Sequence, residues 1–417
     1  MEEIEIKRDS YLKKLIDSQH NGLIKIITGI RMCGKSYLLN EIFVRYLLET
    51  GIEKDHIITI ALDDVEDELL NPKTLSKFIK DKIKDSKRYY ILLDEIQLVD
   101  RFEFLLNGLL RIRNVDIYVT GSNSKFLSSD VITEFRGRGD EIRIYPLSFA
   151  EFSSIQEPNN KKIFDDYCRY GSLPLVALQK DITKKMDYLN YQTQNVYLND
   201  VIERNKIKNK DVLETLIEII SSNIGSLTNP KKLTNTFNSK NIPITDKSIS
   251  KYLGYLENAF LIQKSKRYDI KGKKYINTPF KYYFTDTGIR NSLLNFRQIE
   301  TNHIMENVIY NELLIRGYSV DVGIVEHRIE KGNKTERTHL EVDFVCNHGS
   351  KRYYIQSAFA IPDEEKMKQE TNSLTKIEDS FKKIVVVKDN INLWRNNDGI
   401  LIIGIEEFLL NKNSLDL

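Results

Sequence analysis

This sequence predicts an α/β protein founded on a parallel sheet. Four apolar runs, Leu23–Thr28, His56–Asp63, Tyr89–Gln97 and Val115–Thr120, lack the polar alternation of a half-exposed strand, and helical periodicity separates them. Such runs are strands buried on both faces, and alternation with helices makes their sheet parallel. The first run turns directly into Gly29-Ile-Arg-Met-Cys-Gly-Lys-Ser36, and the third carries the acid pair Asp94-Glu95.

The turn fits G-x-x-x-x-G-K-S, the P-loop pattern. Backbone N–H groups of such a turn make a concave anion site, to which the following helix adds its positive end. The cradle is Gly29, Ile30, Arg31, Met32, Cys33, Gly34, Lys35, Ser36 and Tyr37. Lys35 is expected on the β- and γ-phosphates of ATP and the Ser36 hydroxyl on Mg²⁺. Asp94, at a strand end, is expected in the Mg²⁺ shell, with Glu95 polarising the attacking water; that pair belongs to a hydrolase. After the fourth strand, Asn123 is preferred over Ser122 as a γ-phosphate sensor, with a loop hydrogen bond an equal alternative. Arg136-Gly-Arg138 offers a guanidinium for the γ-phosphate, from this chain or a neighbouring subunit, with Arg138 ahead.

Around these motifs the remaining elements fall in order. Lys7–Ser18 reads as a short helix, on which Arg8 and Tyr11 are packed residues or a resting place for a base. Tyr37–Leu48 is the P-loop helix, Pro72–Lys84 and Arg101–Arg113 are helical, and Arg143–Leu147 is a fifth strand. From Phe149 to about Asn209 the pattern is helical, broken at Gly171-Ser-Leu-Pro174. Three helices then lead into a ribbon, Phe260–Asp269 and Lys274–Phe284, the signature of a winged helix-turn-helix. Beyond about Ile299, helices and strands form a second, smaller α/β domain. The expected domains are 1–150, 151–210 (helical connector), 211–298 (winged helix) and 299–417.

Composition narrows the class. The 417 residues are 41% hydrophobic and 29% charged, with a formal net charge of +2, so any basic surface is local. Cys33, Cys168 and Cys346 form no C-x-x-C, which argues against a zinc knuckle and fits a reducing compartment. Met1-Glu-Glu-Ile-Glu is no signal peptide, and no apolar run reaches the roughly 20 residues that span a bilayer. The expectation is a cytoplasmic protein with no membrane partner, monomeric or homo-oligomeric.

Several motifs, taken in order, resemble one family. Gly29-Ile-Arg-x-x-Gly-Lys-Ser, Leu92-Leu-Asp-Glu-Ile-Gln97, Thr120-Gly-Ser-Asn-Ser124 and Tyr145-Pro-Leu-Ser-Phe-x-Glu-Phe152 are similar to the prokaryotic AAA-type ATPases that carry a DUF4143 C-terminal domain. Tyr170-Gly-Ser-Leu-Pro174, Lys281-Tyr-Tyr-Phe-Thr-Asp-Thr-Gly-Ile-Arg290, Met305-Glu-Asn307 and Glu341-Val-Asp-Phe344 continue the likeness across essentially the whole chain. The resemblance implies an AAA+-like P-loop NTPase core, a winged helix and a C-terminal domain related to PD-(D/E)xK nucleases. It implies no cellular role. Cys33 occupies a variable P-loop position, and a thiol there suggests alkylation-sensitive activity.

The ribbon carries Lys264, Lys266, Arg267, Lys271, Lys273, Lys274 and Lys281 with Tyr268, Tyr275 and Phe280 interleaved, a surface suited to a phosphate backbone. Double-stranded DNA is the expected partner, through Lys271, Lys273 and Lys274. The preceding helix, Ser248–Glu257, has no Arg, so base readout is poor. Glu306, Asp343 and Gln356 follow the order of the nuclease site, but Gln356 replaces an acid and Ala358 the lysine. A degenerate site is therefore expected, even allowing for Lys366 or Lys368. The reading is a Mg²⁺-dependent ATPase acting as a switch on DNA. The alternatives are an ATP-gated metal-dependent nuclease and an ATP-responsive protein-interaction module.

Overall fold

The structure is a computed structural model that describes residues 5–121, 137–157, 162–331 and 334–417. The chain divides into two compact units, Met1–Pro146 with Asn258–Phe260, and Leu147–Glu257 with Leu261–Leu417.

The first unit holds a five-stranded sheet of β1 (Ile24–Thr28), β2 (Ile57–Ala61), β3 (Tyr89–Asp94), β4 (Val115–Gly121) and β5 (Gly139–Arg143), in the order β2-β3-β4-β1-β5. Every pairing is parallel. On one face Ile24, Ile26, Ile91, Leu93, Ile117 and Val119 pack with Leu75 and Ile79 of the helix Pro72–Lys82 and with Leu105, Leu106 and Leu109 of Phe102–Leu109. Burying each such aliphatic side chain contributes roughly 1.5–3 kcal/mol. On the other face the P-loop helix brings Phe43 to 4.6 Å from the Tyr118 ring. That helix runs Lys35–Tyr37, takes a π-helical stretch at Leu38–Phe43, and resumes over Val44–Glu49.

The fifth strand is Gly139–Arg143, not the expected Arg143–Leu147. It is an edge strand with Gly139 and Glu141 exposed, so its polar sequence hides it, while Pro146 has no N–H for a ladder.

The second unit is built on an eight-stranded sheet of β6 (Ile262–Asp269), β7 (Lys274–Phe284), β8 (Ser319–Lys331), β9 (Lys334–His348), β10 (Lys351–Ala358), β11 (Lys382–Val387), β12 (Trp394–Arg395) and β13 (Leu401–Gly404). Its order is β12-β13-β11-β10-β9-β8-β6-β7. The ribbon read as a wing, β6–β7, thus joins the C-terminal strands through the parallel pairing of β6 with β8. Three helices precede it, Lys210–Ser222, Pro230–Ser239 and Asp246–Asn258.

Two of the sequence motifs clasp one another here. Asp286 caps the helix Thr287–Leu293 by accepting from Ile289 N at 3.0 Å, and it also accepts from Ser172 N at 2.7 Å. Gly171, at φ 72°, has no room for a Cβ, which would run into the Asp286 carboxylate, and a Cβ on Gly288 would strike the Tyr170 carbonyl. Burial pushes the Asp286 carboxyl up to about 6 against the pull of its backbone donors.

Candidate nucleotide site

The P-loop leaves the C-terminal end of β1. Gly29 at φ 150°, Met32 at φ 64° and Gly34 at φ 95° turn the chain back on itself. A Cβ on Gly29 would meet the Ile144 carbonyl oxygen, and Cys33 Sγ at 3.0 Å, so only glycine fits. Lys35 opens the helix and is buried, its amine donating to the carbonyls of Gly29 and Ile30, both at 3.1 Å. Arg31, Met32, Ser36 and Tyr37 are exposed, whereas Ile30 and Cys33 are buried.

Asp94 ends β3 and Glu95 follows it, two strands from β1 and on the same edge of the sheet as the loop. Asp94 is buried. Its Oδ1 accepts from the Thr120 hydroxyl, and Asn40 of the P-loop helix faces its Oδ2 at 3.4 Å. Glu95 is left-handed (φ 53°, ψ 45°) and half-buried, with its N–H on Thr120 Oγ1 at 2.9 Å. Gln97 Nε2 donates to Glu95 Oε2.

A glycine that tolerates no side chain, a buried amine turned into the loop and an exposed hydroxyl beside it suit an anionic, metal-bound phosphate. Lys35, Ser36 and Asp94 would hold ATP and Mg²⁺, which supply the reactive anhydride and the charge that polarises it.

The remaining expected residues distribute differently. Asn123, with Ser122 and Arg136, lies outside the described residues. Arg138 corrects the in-chain expectation. Its carbonyl accepts from Ile24 N at 2.8 Å, and Gly139 pairs with Ile24, so Arg138 stands at the end of the sheet opposite the loop. The length of β1 separates it from Gly29, about 15 Å at 3.3 Å per residue. It is exposed and donates to Asn107 Oδ1 at 3.2 Å. In a parallel pair, only the far end of β5 meets the loop, and Arg143 is the residue there, opposite Thr28. Arg8 and Tyr11 are packed residues. Arg8 donates to the Tyr145 carbonyl at 2.6 Å, and Tyr11 Oη accepts from Tyr145 N at 3.2 Å. Cys33 also departs from expectation, since its thiol is sealed against the Ile144 carbonyl at 3.9 Å.

The second unit gathers a different polar cluster. Lys281, counted with the basic ribbon, is buried and unavailable to DNA. Its amine pairs with Glu306 at 2.8 Å and Glu341 at 2.7 Å, with Asp343 3.9 Å away. Tyr283 donates to Glu306 at 2.6 Å, and Ser357 N to Asp343 Oδ2 at 2.8 Å. Gln356 Oε1 accepts from Asp343 N at 3.4 Å. Burial and the Glu306 charge push the Asp343 carboxyl up to about 8. Burial pushes Glu306 the same way, but Lys281, His303 and Tyr283 outweigh it and hold that carboxyl well below its usual range. Lys366 stays on its own helix, paired with Glu370 at 2.5 Å. Among the described residues no group of three or more His, Cys, Asp and Glu is disposed to hold a metal ion. Lys281 was missed because a lysine in a basic ribbon looks solvated; its neighbours in Lys281-Tyr-Tyr-Phe284 mark a buried strand.

Fold and loop define an AAA-type P-loop ATPase domain. A family model described as an AAA domain matches residues 21–153, and one for a domain of unknown function, DUF8612, matches 161–300. The second is not the DUF4143 domain that the motifs resemble. An uncharacterized protein of Haemophilus influenzae is 34% identical over 412 residues, 97% of this chain and 98% of that protein. An uncharacterized protein of Methanocaldococcus jannaschii is 30% identical over 406 residues, 92% of this chain and 85% of that one. The chain belongs to the family of these two proteins. A Walker-type ATPase of Pyrococcus abyssi aligns with 70% of this chain and 96% of its own at 15% identity, with a TM-score of 0.49. No helix among the described residues is long and apolar enough to cross a membrane.

Proposed function

We propose that this protein binds and hydrolyses Mg²⁺–ATP and works as a nucleotide-driven switch that contacts double-stranded DNA. The observation that carries the ATPase half is the joint placement of Lys35 and the Asp94–Glu95 pair on one edge of the sheet. In this reading Lys35 holds phosphate oxygens in place of the loop carbonyls, Ser36 and Asp94 serve the metal, and Glu95 takes the proton of the attacking water. Arg138 acts on the nucleotide of a neighbouring subunit.

The DNA half rests on the tip of the β6–β7 ribbon, where Lys271, Lys273 and Lys274 are exposed. Lys281 drops out of that surface. The proposal does not include a nuclease: the Lys281 amine already engages Glu306 and Glu341, and Gln356 contributes no charge. The test is DNA binding by fluorescence anisotropy across salt concentrations, with and without ATP. A steep salt dependence that ATP alters supports the switch, and binding absent at low salt moves the proposal to a protein partner.

A further inference from the structure

Thr120 lies in β4 near the sheet edge that carries the P-loop and is fully buried. A hydroxyl has one proton to give and two lone pairs. Here the proton goes to Asp94 Oδ1 and a lone pair receives the Glu95 N–H. A single side chain therefore holds the carboxylate of one acid and the backbone of the next.

Each bond acts on a group the site uses, and for Glu95 it acts beside the Leu98 N–H on its carbonyl at 3.1 Å. Apart from Thr120, Asp94 has the long contact to Asn40 at 3.4 Å. Glu95 is a non-glycine residue in the left-handed region, a conformation that persists only where the surroundings impose it. The Glu95 φ and ψ decide where its side chain leaves the strand, and Gln97 then steadies the carboxylate. If Glu95 relaxed to an ordinary extended conformation, that carboxylate would move by ångströms.

We infer that Thr120 is a positioning residue for nucleotide hydrolysis, setting the metal-side acid Asp94 and the water-side acid Glu95 together without touching the nucleotide. The inference rests on the ATPase reading above. A threonine that merely satisfies its own buried hydroxyl would affect stability and leave the ratio of kcat to KM effects alone.

The test compares wild type with Thr120→Val, which keeps the shape and loses the hydroxyl, and Thr120→Ser, which keeps the hydroxyl. Steady-state kinetics with Mg²⁺–ATP give kcat and KM. Hydrogen exchange of the Glu95 amide, followed by NMR on the nucleotide-free protein, reads the bond without any turnover. The valine variant is expected to lose on the order of 10²-fold in kcat, as a small misplacement of a catalytic group does, with KM changed far less. Its Glu95 amide is expected to exchange faster than in wild type, and Thr120→Ser is expected to restore both. Thr120→Cys, with its weak S–H donor, replaces the valine variant if that protein does not fold, with an intermediate kcat expected. An active wild type with an equally active valine variant overturns the inference, as does equal Glu95 exchange in all the proteins. A wild type that hydrolyses nothing refutes the ATPase reading instead, and the exchange comparison still decides whether Thr120 holds Glu95.

Discussion

Replacing Lys281 with Met should destabilise the second unit strongly, and more so at alkaline than at acid pH. Lys281 is 4% exposed at its side chain and pairs with Glu306 and Glu341 inside 3 Å, with Asp343 at 3.9 Å. Methionine keeps the volume but removes the amine that Glu306 and Glu341 share, leaving the buried Glu306 carboxylate to His303 and Tyr283. Breaking a buried pair from one side costs about 3–5 kcal/mol. At about 2–3 °C per kcal/mol for a unit of this size, the midpoint of thermal unfolding at pH 8 should fall by roughly 6–15 °C. The sign with pH follows from the carboxylates. In the wild type the depressed Glu306 contributes stability above the ordinary carboxylate range that is lost as pH falls towards about 2. Without Lys281 burial is opposed by His303 and Tyr283 alone, so the Glu306 carboxyl rises from its wild-type value, and the variant's deficit grows as pH rises and both Glu306 and His303 lose their protons. The deficit at pH 5 should therefore be clearly smaller than at pH 8. Differential scanning fluorimetry at the two pH values measures both. A deficit under about 2 °C at pH 8, or one equal at both, refutes this account of the cluster.

Asp343, pushed up to about 8, contributes stability that is full below about pH 4 and lost as pH rises through 8, so Asp343→Asn should flatten the unfolding profile between those values. Isothermal denaturation across that range checks it. Gly29→Ala should abolish ATP binding, because its Cβ would meet the Ile144 carbonyl; a fluorescent ATP analogue measures the loss. Arg138→Ala should leave kcat unchanged at low protein concentration, and a defect that appears only as concentration rises would mark a neighbouring-subunit role. Replacing Lys271, Lys273 and Lys274 together with Ala should reduce the slope of log K against log salt by up to about 3.

How much of this was legible in the sequence depends on how local each feature is. Gly29–Ser36 is contiguous, and its strand and helix flank it, so loop, sheet and acid pair were readable from one motif and four apolar runs. Arg138 was misplaced because its proximity in sequence to the fifth strand says nothing about which end of a parallel pair it occupies; the register of Gly139 with Ile24 decides that. Lys281 was misread because its three carboxylate neighbours come from a helix and a different strand, far along the chain. The edge strand β5 is too polar to announce itself. Thr120 stood in a recognised motif, but its two bonds depend on β3 and β4 being neighbours with Leu93 opposite Val119, which no local pattern encodes.

In the proposed function Glu95 drives ATP hydrolysis at the P-loop. The most direct test is phosphate release from Mg²⁺–ATP by wild type and by Glu95→Gln, with nucleotide binding measured on both. Turnover is expected in the wild type, with a loss of at least about 10²-fold in Glu95→Gln and ATP binding retained in both. Undiminished turnover in Glu95→Gln, or a wild type that binds ATP and never releases phosphate, contradicts it.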